Sequence, residues 1–309
     1  MMKLSRSAGP LSPGLSKRQL ATLLERIPEW KNHFPELSFS ATYTAKQLGL
    51  PRCNFQTLVD FQRYEECQLH ALCMKMYQKL WELNSVEEFM EVFIDCLECH
   101  YHAYTTGKAL HRDLSENNLM FKRREERPCG ILNDWDLTSL LDHAGEVPVS
   151  NARHRTGTLP FMAFDLLEKP PPPHLYRHDL ESFFYILVWA AIHYDFKKKC
   201  RRNTPRELKL WNKAADDVRA EKWSFLTDVV ARDQIFAYIR KEFHGLRDQW
   251  LLPLSDLFYH GHISSNMNRR SPIPGYDNAT LGGLITFDTF MAAIRRTPRK
   301  FPSTIARAP

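Results

Sequence analysis

Apolar residues along this chain fall into short periodic runs separated by turn-forming residues. Leu20, Leu23, Leu24 and Ile27 recur at helical spacing and stop at Pro28, which predicts a short amphipathic helix. Ser38 to Ala45 and Leu69 to Tyr77 are β-prone and predict two strands. Ser85-Val86-Glu87-Glu88 is a capping box, in which the Ser85 hydroxyl accepts from a free backbone N–H and Glu88 reaches back. Phe89, Val92, Phe93, Cys96, Leu97 and His100 then share one helical face, which runs out near Gly107. Cys129 to Asp136 begins as a strand with apolar Ile131 and Leu132, and Leu140 to Arg155 has no period and reads as a surface loop. Asp179 to His193 is apolar enough for a buried helix, with Pro170 to Pro173 as a rigid spacer before it. A helix start at Thr204-Pro205-Arg206-Glu207, further helices through residue 250 and a last helix from Phe287 to Arg295 complete the pattern. Strands gather in the front third and helices behind it, so the fold class is α+β, a small mixed lobe on a larger helical lobe.

Composition adds little to this picture but excludes several classes. Hydrophobic content of 43% and charged content of 25% are those of a globular domain, and 309 residues can hold two lobes around a cleft. A net charge of +6 favours anionic ligands without arguing for nucleic acid. Its excess sits in Lys197-Lys198-Lys199-Cys200-Arg201-Arg202 and in a tail with Arg295, Arg296, Arg299, Lys300 and Arg307; both read as solvated surface charge, with nuclear import or an acidic partner as the alternative. No apolar run reaches the ~18 residues of a membrane span, and the first 17 residues, rich in Ser, Pro, Gly and Lys, read as a flexible leader without a signal sequence. Seven cysteines at irregular spacing fit a reducing compartment, cytoplasmic or nuclear.

The candidate chemistry lies in His111-Arg112-Asp113-Leu114-Ser115-Glu116-Asn117-Asn118 and Asn133-Asp134-Trp135-Asp136. An Asp, an Asn five residues on and a second Asp sixteen beyond that suit phosphoryl transfer. One carboxylate orients a hydroxyl, and the other two side chains converge on the Mg²⁺ that neutralises a triphosphate. Cys96-Leu97-Glu98-Cys99-His100 matches a haem-attachment pattern, but it falls inside the capped helix with Cys96 and His100 on its apolar face. It reads as core packing.

Four segments in order carry a resemblance. They are Leu110 to Asn118, Leu132 to Leu137, Arg155-Thr156-Gly157-Thr158-Leu159-Pro160-Phe161-Met162-Ala163, and His178-Asp179-Leu180-Glu181-Ser182-Phe183-Phe184. The sequence resembles a protein kinase, and more closely the fungal-type protein kinase family, over about residues 18 to 195. The resemblance implies a kinase-like fold with an incomplete small lobe over 18–77, a large helical lobe over 78–295 and a basic tail over 296–309. It implies ATP and Mg²⁺ as cofactors and a protein substrate with Ser or Thr hydroxyls, with neither nucleic acid nor membrane as partner.

By the same resemblance Asp113 is the catalytic base, and Asn118 and Asp134 hold the metal. His111 braces the loop. Arg112 pairs with a phosphorylated residue, the candidates being Thr138, Ser139, Ser150 and Thr156, or with a structural carboxylate. Thr158 lies near the catalytic Asp. Asp165 stands where the family's Ala-Pro-Glu motif has Glu and keeps an ion pair with an arginine. Asp179 accepts backbone hydrogen bonds from the catalytic loop.

Two departures shape the expectation. The metal loop reads Asp134-Trp135-Asp136 in place of Asp-Phe-Gly, and Asp136 also resembles small-molecule phosphotransferases of the choline and aminoglycoside type. Upstream, Gly9, Gly14 and Gly49 are isolated, so no glycine-rich loop precedes residue 107. Lys17, Lys31 and Lys46 lie outside β-prone runs, which leaves Glu25 without its usual lysine partner. The expectation is a small lobe lacking its first three strands. A Ser/Thr protein kinase is the leading reading; a truncated or non-catalytic binding module and a small-molecule hydroxyl kinase are the alternatives.

Overall fold

The computed structural model describes residues 2–7, 17–44, 46–49, 68–142, 145, 147, 157–205 and 207–299. Strand β1 (Met2–Ser7), helix α1 (Lys17–Arg26), β2 (Leu37–Tyr43) and β3 (Gln68–Met74) form the small lobe. The sheet order is β1-β3-β2, antiparallel throughout. Here the structure departs from the sequence reading. Met2–Ser7, inside the expected leader, pairs with β3, and Lys3 stands opposite Leu72. A third strand, and a lysine on it, therefore precede α1. Leu20, Leu23 and Ile27 are buried, as their spacing requires, and Glu25 is exposed.

The large lobe is built around two helices. In α2 (Val86–Thr105) the Ser85 hydroxyl accepts from the Glu88 amide at 3.2 Å. Glu88 reaches back one residue further than expected, to the Asn84 amide at 2.9 Å. Helix α3 (Tyr176–His193) is buried on every side beyond its first residue, which explains why its sequence is apolar around the whole circumference. Short strand β4 (Gln78–Lys79) joins the lobes. The pair β5 (Ala109–Leu110) and β8 (Ser139–Leu140) brackets the hairpin β6 (Leu119–Arg124) and β7 (Arg127–Leu132). A second hairpin, β9 (Tyr194–Asp195) with β10 (Cys200–Arg201), follows α3. Helices α4 (Ala215–Thr227), α5 (Val229–Phe236), α6 (Leu252–Arg270) and α7 (Phe287–Ala293) finish the lobe.

Strand β7 lies directly on α2 because it carries Gly130. A Cβ there would stand 2.5 Å from the Val92 carbonyl oxygen and 2.6 Å from Asp95 Cβ. The Gly130 amide donates to Asp95 Oδ2 at 2.7 Å. Gly130→Ala is expected to cost about 1–3 kcal/mol by overpacking, measurable as a lower urea midpoint; an unchanged midpoint would contradict the packing described.

Among the described residues, part of each basic run has fixed partners. Lys199 Nζ donates to the Leu83 carbonyl at 2.7 Å and to Asn84 Oδ1 at 2.6 Å. Arg202 pairs with Asp195 at 2.8 Å, and Arg201 with buried Glu116. Beyond α7, in the expected basic tail, Arg299 bonds Asp95 Oδ1 at 2.7 Å and also holds Glu98. These four side chains remain exposed, as the solvated reading expects, but each also meets a carboxylate or carbonyl, for all but Arg202 one distant in sequence. Among the described residues no helix is long and apolar enough to cross a membrane.

Candidate active site

The β6–β7 register aligns Leu119 with Leu132, so Asn118 and Asn133 face each other at its mouth. The Asn133 amide donates to the Asn118 carbonyl at 2.8 Å. This pairing brings residues fifteen apart in sequence to one place and sets Asp134 beside Asn118. Asn118 Nδ2 donates to the Asp113 carbonyl at 2.7 Å, which closes the loop between them. Thr158 Oγ1 donates to Asp113 Oδ1 at 3.2 Å. The structure thus brings Asp113, Asn118, Asp134 and Thr158 together; Thr156 and Ser150 lie outside the described residues.

Asp134 has φ 64° and ψ 62°, in the left-handed region. A non-glycine residue held there stores about 1–3 kcal/mol, a cost found mainly at functional sites. Trp135 anchors the turn that follows. Its indole N–H donates to the Leu132 carbonyl at 2.8 Å, and its ring stacks on Phe34 at 4.7 Å. With Asn118 Nδ2 committed to the Asp113 carbonyl, Asn118 keeps its amide oxygen as an acceptor, one residue from the strand pairing that leads into Asp134. The Asn118 amide oxygen and the Asp134 carboxylate are hard oxygens, the donor chemistry that Mg²⁺ takes.

His111 is a brace in a fixed tautomer. A carbonyl only accepts, so Nε2–H must donate to the Asn133 oxygen at 2.9 Å, which leaves Nδ1 to accept from the Asp113 amide at 3.3 Å. The ring is therefore neutral, and burial holds its pKa at about 4. Burial likewise holds His178 at about 3 and His193 at about 4. His262 goes the other way: burial lowers its pKa, and contact with Glu181 raises it further. For the three lowered histidines the unfolded chain takes up protons near pH 6.5, before the folded chain does. Their contribution to stability is thus full above about pH 6.5 and falls as the pH drops to about 4, and for His178 to about 3. The urea midpoint is expected to fall across that window, and His111→Asn to flatten the fall by one proton; an unflattened slope would contradict the neutral brace.

Arg112, at φ 71°, is held by its backbone: its amide donates to Asp179 Oδ2 at 3.1 Å. His100 Nε2–H donates to the same oxygen at 2.7 Å, and His174 Nε2–H to Oδ1 at 2.7 Å. Burial pushes the Asp179 carboxyl up, and contacts with His174 and His100 more than reverse this, holding it well below the usual range. His100 thus belongs to the catalytic-loop brace. Burial also pushes the Cys96 and Cys99 thiols well up, so neither is poised to ligate haem or metal. His33 Nδ1 stands 3.8 Å from both Asp95 and Cys129, but its proton is committed to the Gly130 carbonyl at 2.8 Å, so that trio is also structural.

The Arg112 side chain donates from NH1 to Ser139 Oγ at 2.6 Å. Ser139 and Thr138 are buried, so neither is presented to solvent for modification. Glu116 is clamped from outside the loop by Arg201 and by the Tyr194 hydroxyl at 3.2 Å. Burial raises the Glu116 carboxyl, and Arg201 opposes this.

The segment from Thr158 to Leu167 is pinned to the helices. Asp165 pairs with Arg177 at 2.7 Å, the arginine that its sequence position calls for. Glu181 accepts from the Phe164 amide at 2.8 Å and from the Tyr185 hydroxyl at 2.6 Å. Buried Lys222 donates to the Met162 carbonyl and lies 3.9 Å from the Tyr185 ring centre. Sequence reasoning missed Arg177, His174, Glu181, Lys222 and the role of His100. Most of their contacts join segments distant in the chain, and the motifs that contain Glu181 and His100 do not say what either one bonds.

Among solved structures, vaccinia related kinase 3 is similar at 11% identity and a TM-score of 0.46, over 96% of this chain and 83% of that one. The kinase PK-1 of Cydia pomonella granulovirus is similar at 9% identity and a TM-score of 0.35, over 59% of this chain and 58% of that one. No curated protein matches the sequence. The family described as fungal protein kinase matches residues 16–191, more than half of the chain, with Asp113, Asn118, Asp134 and Thr158 inside the match, and the chain belongs to that family.

Proposed function

We propose that the chain transfers the γ-phosphoryl group of ATP to Ser or Thr hydroxyls of proteins. The observation that carries this reading is the closed loop in which Asn118 binds the Asp113 backbone and Thr158 binds its carboxylate. Such an arrangement fixes a carboxylate where a substrate hydroxyl must be oriented, and phosphoryl transfer depends mostly on positioning and charge stabilisation. In the proposed step the substrate oxygen attacks the γ-phosphorus as the bond to the bridging oxygen of ADP breaks. Asp113 accepts the hydroxyl proton. Asn118 and Asp134 would hold Mg²⁺, which when bound neutralises charge on the phosphates.

The proposal itself is tested by incubating the purified chain with γ-labelled ATP, Mg²⁺ and a basic protein substrate. Label on Ser or Thr is expected. A truncated or non-catalytic kinase-like binding module is the second reading, favoured by the lack of a Gly-x-Gly-x-x-Gly upstream of residue 107. It would show no label and no thermal shift on adding ATP·Mg²⁺.

A further inference from the structure

The β9–β10 hairpin carries the basic run that the transfer step does not use, and Lys197, Lys198 and Lys199 are all exposed in its turn. The hairpin is firmly seated. Phe196 is buried, with its ring centre 5.4 Å from that of Phe243. The Lys198 amide donates to Asp195 Oδ1 at 3.0 Å, and the Arg202 amide to the His193 carbonyl at 2.8 Å. Lys199 Nζ reaches the Leu83 carbonyl, and Arg201 reaches Glu116. A hairpin held at this many points presents its cations with little ordering cost on binding.

Its place is beside the catalytic loop. Asn118 Nδ2 donates to the Asp113 carbonyl, so Glu116 and Asn117 lie in a short closed loop with Asp113. Arg201 holds Glu116, and Lys79 Nζ donates to Asn117 Oδ1 at 3.2 Å. The carboxylates that answer these cations are covered: Glu116 and Asp195 are buried, while Arg201 and Arg202 stay exposed. Glu82 spends Oε2 on the Lys79 amide at 2.8 Å. Among the described residues the Lys197 and Lys198 ammonium groups have neither a hydrogen bond nor an ion pair.

We propose that this surface selects protein substrates whose Ser or Thr is flanked by Asp or Glu, an inference that rests on the transfer reading. Like charges set side by side repel, and an acidic peptide relieves the repulsion as it pairs with the two free lysines. An extended peptide advances about 3.3 Å per residue, so residues up to four from an acceptor at Asp113 reach about 13 Å along the protein. Nucleic acid also answers positive charge. A surface bonded to the catalytic loop, however, meets whatever brings the acceptor hydroxyl, and that favours a peptide.

The test uses the whole chain and two fluorescein-labelled peptides, each with one Ser flanked on both sides by three Glu or by three Lys. With γ-labelled ATP and Mg²⁺, the Glu peptide is expected to show about tenfold higher kcat/KM, the combined worth of a few exposed ion pairs. A basic protein is then labelled more slowly, not left unlabelled. Fluorescence anisotropy without nucleotide is expected to give the same order of affinity, and salt at about 1 M to erase it. Lys197→Glu with Lys198→Glu is expected to level the two peptides. Lys31→Glu with Lys213→Glu, the same change in net charge at exposed lysines outside the hairpin, is expected to keep the preference. Label with equal kcat/KM, or with the Lys peptide preferred, would overturn the inference and leave the transfer reading standing. No label with tighter binding of the Glu peptide would overturn transfer and leave the acidic-peptide surface. No label with equal binding would overturn both. A single-stranded oligonucleotide of equal charge that binds more tightly than the Glu peptide would assign the hairpin to nucleic acid and overturn the proposal.

Discussion

Asp113→Asn is expected to lower phosphoryl transfer by about 10²–10⁴-fold, the usual worth of a positioned general base. The substitution isolates chemistry from architecture. Asn keeps the shape of the side chain and an oxygen that can accept from Thr158 Oγ1, now 3.2 Å away. The Asn118 bond at this position goes to the Asp113 carbonyl, which the change leaves alone. ATP affinity and the urea midpoint should therefore hold while kcat falls. A matching rise in KM for ATP, or a lost fold, would assign Asp113 a structural role. Retained kcat would move the base elsewhere.

The second large effect is on stability. Asp179→Ala removes a fully buried carboxylate that accepts from the Arg112 amide, His100 and His174. Three donors lose their acceptor in a site that water does not reach. Breaking a buried charged network in this way costs about 3–5 kcal/mol, a large share of the roughly 5–15 kcal/mol that holds a domain folded. Arg112 has a positive φ, and its amide bond to Asp179 is what ties that conformation to α3. Transfer should fall with stability even where the chain remains folded. A urea midpoint corresponding to a loss below about 1 kcal/mol would show that the histidines find other partners.

The fold class and the family were legible in the sequence, for a physical reason. The catalytic-loop residues sit in unbroken local motifs, and α2 and α3 announce themselves through a capping box and an apolar run. What was not legible depends on residues that meet only when the chain folds. Asp165 needed an arginine, and only the approach of α3 names Arg177. His100 sat inside a misleading Cys-x-x-Cys-His pattern because its partner, Asp179, lies 79 residues away. Lys199 and Arg201 look like free surface charge until the β9–β10 hairpin delivers them to the lobe junction and to Glu116. Strand β1 was hidden by the Ser-, Pro- and Gly-rich stretch around it: six residues of weak alternation become a strand only because β3 offers an edge.

The central claim is that Asp113, Asn118 and Asp134 form a working phosphoryl-transfer site. It is tested most directly by phosphoamino-acid analysis after incubation of the whole chain and its Asp113→Asn variant with γ-labelled ATP, Mg²⁺ and a protein substrate. Label on Ser or Thr from the unmodified chain, absent with the variant and absent when the metal is chelated, is the expected result. No label from the unmodified chain, or equal label from both, would contradict it.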